Sequence, residues 1–186
     1  MLSSQGLTTK KEESSECNSI GIVNRERTIE QTMEVLPKGT RRLAAQLRTP
    51  IGFESLWSVL TCYEKLHEFI PNLDKSDVEH RQGNQITLRQ VGSQQFLGFK
   101  FSAEVRLKLI ESKNEGFLRF SLLKGDFRRF EGSWSVSNLP NEEGSSLVYE
   151  LTVQGCLGMP VSLIENRLRE DLTNNLLAVE KAAFDY

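Results

Sequence analysis

Residues 97 to 109 read LGFKFSAEVRLKL. Leu97, Phe99, Phe101, Ala103, Val105, Leu107 and Leu109 alternate with Gly98, Lys100, Ser102, Glu104, Arg106 and Lys108. A period of two held this long predicts an antiparallel strand with one dry face and one wet face. Shorter stretches repeat it: Leu43, Ala45, Leu47; Leu118, Phe120, Leu122; Phe130, Gly132, Trp134, Val136; and Leu147, Tyr149, Leu151, Val153. Residues 78 to 91 predict two strands around the turn RQGN, and TIEQTMEVLPKG predicts a short first strand ended by Pro37 and Gly39.

The period changes twice. Phe53, Leu56, Trp57 and Leu60 form one helical stripe; Tyr63, Leu66, Phe69 and Ile70 resume it after a break, before Pro71. A residue preceding proline avoids helical geometry, so the pattern predicts two short helices that stop there. Near the end, Pro160 suits a first helical turn. Val161, Ile164, Leu168, Leu172, Leu176, Val179 and Ala183 then make one apolar stripe. The fold class is therefore α+β: a curved antiparallel sheet, two short helices after the first main strand, and a long C-terminal helix lying across the apolar face.

Face parity constrains one hairpin. Phe120 and Phe130 both face inward, so the loop between their strands needs an odd residue count. Lys124, Gly125 and Asp126 satisfy it, with Gly125 supplying a left-handed position. This register pairs Phe120 with Phe130 and Arg119 with Glu131. It leaves one oddity, Gly132, a side-chain gap between Phe130 and Trp134 on an aromatic face.

Composition narrows the function classes. The chain has 186 residues and a net charge of -2, so no basic field attracts nucleic acid. Residues 1 to 30 read as a disordered polar tail and 31 to 186 as one domain. No apolar run reaches the length of a membrane span, and the start lacks signal-peptide character. Cys17, Cys62 and Cys156 are sparse and unpaired in spacing, which fits a reducing, cytoplasmic setting. His67 and His80 lack metal-ligand spacing and read as surface residues, and Cys62 reads as a buried structural thiol. The RRFEG segment reads as a solvated strand face. No nucleophile, phosphate-loop or dinucleotide motif is present. The sequence thus points to no catalytic residue, no metal and no cofactor. Tyr149 is the one inward group suited to proton transfer.

Three ordered segments carry a resemblance: IGFESLWSVLTCYEKLHEFIPNL, LLKGDFRRFEGSWSV and LGMPVSLIENRLREDLTNNLLAV. Together, across roughly residues 31 to 183, they resemble the polyketide cyclase / coenzyme Q-binding START-like (SRPBCC) family of the helix-grip superfamily, most closely its cyanobacterial and plastid members. The resemblance implies a helix-grip fold with an apolar cavity between sheet and C-terminal helix. That cavity would hold a lipid, quinone or polyketide-like molecule. Trp57, Phe69, Phe99, Phe101, Phe120, Phe130, Gly132, Trp134, Tyr149, Ile164, Leu168 and Leu172 are the expected lining, with Trp134 and Tyr149 as polar anchors. On this reading Gly132→Leu fills the gap and weakens ligand binding while the fold survives. Three functions stay open: a non-catalytic carrier, a protein-interaction module of the same fold, and a cyclase or dehydratase. A transient membrane contact and a protein partner stay open with them.

Overall fold

The structure, a computed structural model, describes residues 29–96, 99–140, 143–155 and 161–185; at 94–96, 99–101, 161–164 and 166 it describes the backbone only. The predicted tail, Cys17 and Cys156 lie outside the described residues.

Eight strands follow in chain order: β1 (Ile29–Leu36), β2 (Thr40–Thr49), β3 (Leu73–Gln82), β4 (Gln85–Phe96), β5 (Phe99–Ser112), β6 (Phe117–Gly125), β7 (Arg129–Asn138) and β8 (Ser145–Gln154). They form one antiparallel sheet in the order β1-β2-β8-β7-β6-β5-β4-β3. The long β4–β5 ladder contains most of the period-two segment 97–109. Register shifts between β3 and β4, and between β5 and β6, add twist and bend, as an unpaired extra residue does.

Helix α1 (Phe53–Leu60) follows β2, and a 3-10 turn at Tyr63–Lys65 leads into the single turn α2 (Leu66–Phe69). The two-helix expectation before Pro71 therefore holds, with the second piece shorter than its stripe. Cys62 sits half-buried in the break, less enclosed than a core thiol. His67 and His80 are not buried. Helix α3 (Val161–Phe184) closes the chain; its 24 residues span about 36 Å. No helix among the described residues is long and apolar enough to cross a membrane.

The predicted dry faces are the buried ones. Leu43 and Leu47 of β2, Leu147 and Leu151 of β8, and Leu107 and Leu109 of β5 are buried with Leu172, Leu176 and Val179 of α3. Each fully buried Leu or Val contributes about 1.5–3 kcal/mol relative to exposure, so this inner face and the α3 stripe carry the main favourable term.

The β6–β7 register differs from the expectation. Phe120 lies opposite Gly132, Arg119 opposite Ser133, and Ser121 opposite Glu131. The parity is right and the offset is two residues. The last residues of β6 leave β7 and stay bonded to β5, where Lys124 and Gly125 face Arg106 and Val105. The Asp126 carboxylate accepts the Glu104 N–H at 2.7 Å, and the Asp126 N–H donates to the Glu104 carbonyl at 3.0 Å. Phe127 turns in against Phe130, with ring centroids 5.2 Å apart. Satisfying these groups opens the tight loop that counting alone suggests. The expected Arg119–Glu131 pair is therefore absent among the described residues. Glu131 instead pairs with Arg129 on its own strand, and Arg119 lies over the Phe117 ring at 4.9 Å.

Candidate functional site

Alternation on β6, β7 and β8 brings five of the expected lining residues together. Phe120 packs against Phe130 at 5.8 Å and against Tyr149 at 6.2 Å, both tilted. Trp134 stacks on Tyr149 at 4.0 Å and 5°, which follows from their being directly opposed on β7 and β8. Gly132 sits between Phe130 and Trp134, facing Phe120 across the strand pair. A Cβ at Gly132 would lie 2.7 Å from Phe120 Cζ. The gap read from the sequence is therefore filled by the Phe120 ring, so it does not add open space to the interior.

The rest of the expected set is dispersed. Leu172 is buried in the α3 stripe and Leu168 is half-buried one turn before it. Trp57 is buried with Phe53 stacked on it at 5.9 Å, and α1 packs on α3 and β7, which makes Trp57 a core residue beside the aromatic row. Phe69 belongs to α2, which lies beside β3, and packs against the edge of the core. The side chains of Phe99, Phe101 and Ile164 lie outside the described residues.

The inner face has a gradient. Val136, Leu147, Leu151 and Val153 are buried, while Phe130, Trp134, Phe127 and Leu122 pack against the same core and keep partial exposure. Large inward aromatics that are not sealed mark one end of the sheet–helix interface as less filled than the other.

Polar groups on this face were less legible in the sequence. Arg41, on the inner register of β2, donates from Nε to Glu165 Oε1 at 2.6 Å and ties β2 to α3. Gln31 donates to the Arg169 carbonyl at 2.8 Å, and Asn72 donates to Asp171 at 3.2 Å. These contacts clamp α3 from both flanks. On β5, Glu111 accepts from the Tyr63 hydroxyl at 2.7 Å and from Arg81 at 2.6 Å, fastening the turn after α1 to the sheet. An inner-parity arginine was the one available sequence signal for the first clamp; Tyr63 and Glu111 are too far apart in the chain to leave one.

Tyr149 is the polar group most enclosed by the aromatic row. Burial, and then the Asp171 carboxylate, push its pKa well above the ordinary phenol value. No hydrogen-bond partner for its hydroxyl is found among the described residues. Tyr63 is pushed up as well, by burial and then by its bond to Glu111. An unfolded phenol loses its proton near pH 10, about where this stabilisation starts to fade. Below that pH the contribution is complete; it declines as pH rises toward the raised folded values. The urea midpoint is therefore expected to fall above about pH 10. The Tyr63→Phe/Tyr149→Phe double variant should show a shallower fall, and an equal slope in both proteins would remove these two phenols as its cause.

Among the described residues, no His, Cys, Asp and Glu side chains gather into a metal-binding group. What the face offers is a greasy, aromatic wall that encloses one hydroxyl, that of Tyr149.

Comparison with known proteins follows the same lines. No curated protein matches the chain. Among solved structures, the chain is similar to TTHA0849 from Thermus thermophilus, with TM-score 0.66 and 22% identity over 77% of this chain and 97% of that one. It is similar to the Zhui aromatase/cyclase from Streptomyces sp. R1128, with TM-score 0.68 and 13% identity over 77% of this chain and 93% of that one. It is also similar to a STAR-related lipid transfer protein from Xanthomonas axonopodis, with TM-score 0.68 and 14% identity over 83% and 93%. At these identities the likeness is one of fold, the START or helix-grip arrangement of a curved sheet around a long helix. The family model for polyketide cyclase / dehydrase and lipid transport matches residues 50–180, and the chain belongs to that family.

Proposed function

We propose that this protein binds and carries a hydrophobic small molecule, a lipid, quinone or polyketide-like compound, between the inner sheet face and α3, without transforming it. One observation carries the reading: the inward aromatics Phe130 and Trp134 keep partial exposure beside a fully buried core. An apolar wall with one or two polar groups is the usual chemistry of such a site. Tyr149 supplies the hydroxyl that orients a ligand's polar end.

One observation favours a second reading, a cyclase or dehydratase. Burial, and then the Asp171 carboxylate, keep the Tyr149 phenol protonated within the wall, and a buried protonated phenol can serve as a proton donor.

Native mass spectrometry of protein purified gently from its own cells tests the first reading. A stoichiometric extra mass that leaves on denaturation is expected, and it identifies the ligand class. A bare chain that takes up nothing from a total lipid extract would sink the carrier reading. If a linear polyketide thioester is returned with one water lost, and Tyr149→Phe prevents this, the enzymatic reading replaces it.

A further inference from the structure

The outer face of the sheet divides into two halves of different character. Over β3, β4 and β5 its charges close on one another: Arg89 pairs with Glu104 and Asp77, and Arg106 pairs with Glu79. Over β5, β6, β7, β8 and β2 the only outer-face ion pair among the described residues is Arg129 with Glu131. Here the face is hollowed into an open trough of about 610 Å³.

The sheet register explains the trough. One row across the strands reads Arg42, Thr152, Glu131, Ser121, Lys108, each directly opposite the next. The neighbouring row reads Ala44, Glu150, Ser133, Arg119, Ile110. Short hydroxyl side chains, Thr152, Ser121 and Ser133, therefore share the floor with the carboxylates Glu131 and Glu150, the Ser133 hydroxyl donating to Glu150 at 3.4 Å, and long cationic side chains stand around them. Arg129 neutralises Glu131. Arg42, Lys108 and Arg119 close no ion pair among the described residues, although Glu34 of β1 stands directly opposite Arg42, and each of the three lines the trough or its rim. Arg42 and Lys108 are four strand spacings apart, about 19 Å between backbones before their side chains lean inward. Arg119 lies over Phe117 at one wall.

Unpaired guanidinium and ammonium groups around a hydroxyl-lined floor select an acceptor-rich anion. The distance between them selects an elongated one. The volume is that of a small-molecule site, and the hollow does not fit a flat bilayer. We propose that this trough is a second binding site, for a soluble, elongated phosphorylated metabolite. It lies on the face opposite the apolar wall, so it stands or falls separately from the carrier reading.

Tripolyphosphate is the probe. Amide shifts of the ¹⁵N-labelled full chain are followed during titration. Saturable shifts at Ser121, Ser133 and Thr152 are expected. The Arg42→Gln/Lys108→Gln variant changes two outer-face side chains without setting a second carboxylate opposite Glu34, and should keep the wild-type melting temperature. Its affinity should fall by ~100-fold, about tenfold for each charge-assisted hydrogen bond removed. No saturable shift at these amides, or equal affinity in the folded variant, would overturn the proposal. So would capture by phosphatidic acid vesicles with no response to tripolyphosphate, since that assigns the cations to a membrane surface.

Discussion

Replacing Gly132 with alanine is expected to cost on the order of 3 kcal/mol of stability, and with leucine more, to the point of preventing folding. The reason lies in the backbone. A Cβ at this position would stand inside the contact distance of the Glu150 carbonyl oxygen and 2.7 Å from Phe120 Cζ. Phe120 can turn at some cost. The Glu150 carbonyl cannot, because β7 and β8 are paired in unbroken register from Arg129↔Gln154 to Asn138↔Ser145. Moving it would strain the central ladder of the sheet. The sequence alone suggests that Gly132→Leu fills a ligand space and leaves the fold intact; the structure reverses that order of effects. Urea unfolding of Gly132→Ala, followed by far-UV circular dichroism, checks it. A midpoint equal to wild type would mean that the strand approach is not what requires glycine here. A second variant separates the two neighbours. Phe120→Leu combined with Gly132→Ala frees the ring clash alone, so it should recover only part of the loss.

The same position shows what the sequence could and could not convey. Alternation assigned Phe120, Phe130, Trp134 and Tyr149 to the inner face, because a strand side chain has only two directions available. Alternation cannot fix register, since sliding a strand by two residues preserves every face. The choice between Phe120↔Phe130 and the observed Phe120↔Gly132 rests on Asp126 meeting Glu104 and Phe127 meeting Phe130. Those contacts depend on the path of β5 and β6 beyond the hairpin. The long α3 stripe was legible for the same reason as the strands, a single period held over many turns. The Arg41–Glu165 clamp and the Tyr63–Glu111–Arg81 cluster join residues far apart in the chain. The outer trough needed five strands in register before its rows existed at all.

Along α3, truncation is expected to separate fold from binding. Leu176 is fully buried, between Leu172 and Val179 on the core stripe. Leu176→Ala removes apolar atoms from a site with no exposed side, and the close packing around it can only partly collapse. A loss of about 2–5 kcal/mol follows, a large fraction of a domain's stability. Leu168 is half-buried, so the same change should cost only about 1 kcal/mol. Its place on the helix gives it a different role. The Arg41–Glu165 contact pins this part of α3 over the row Arg41, Val153 and Phe130. Leu168 follows one turn later, between that row, where Phe130 stays partly exposed, and the buried stripe that begins at Leu172. Leu168→Ala should therefore keep a near-native urea midpoint and lose much of the co-purifying mass in native spectra. Leu176→Ala should lower the midpoint sharply while its remaining folded fraction still carries ligand. If both variants lose stability and ligand in the same proportion, then α3 acts as one uniform core element and the division between its two halves is wrong. If Leu168→Ala alone releases the ligand, the ligand lies against the first half of α3, beneath the Arg41 clamp.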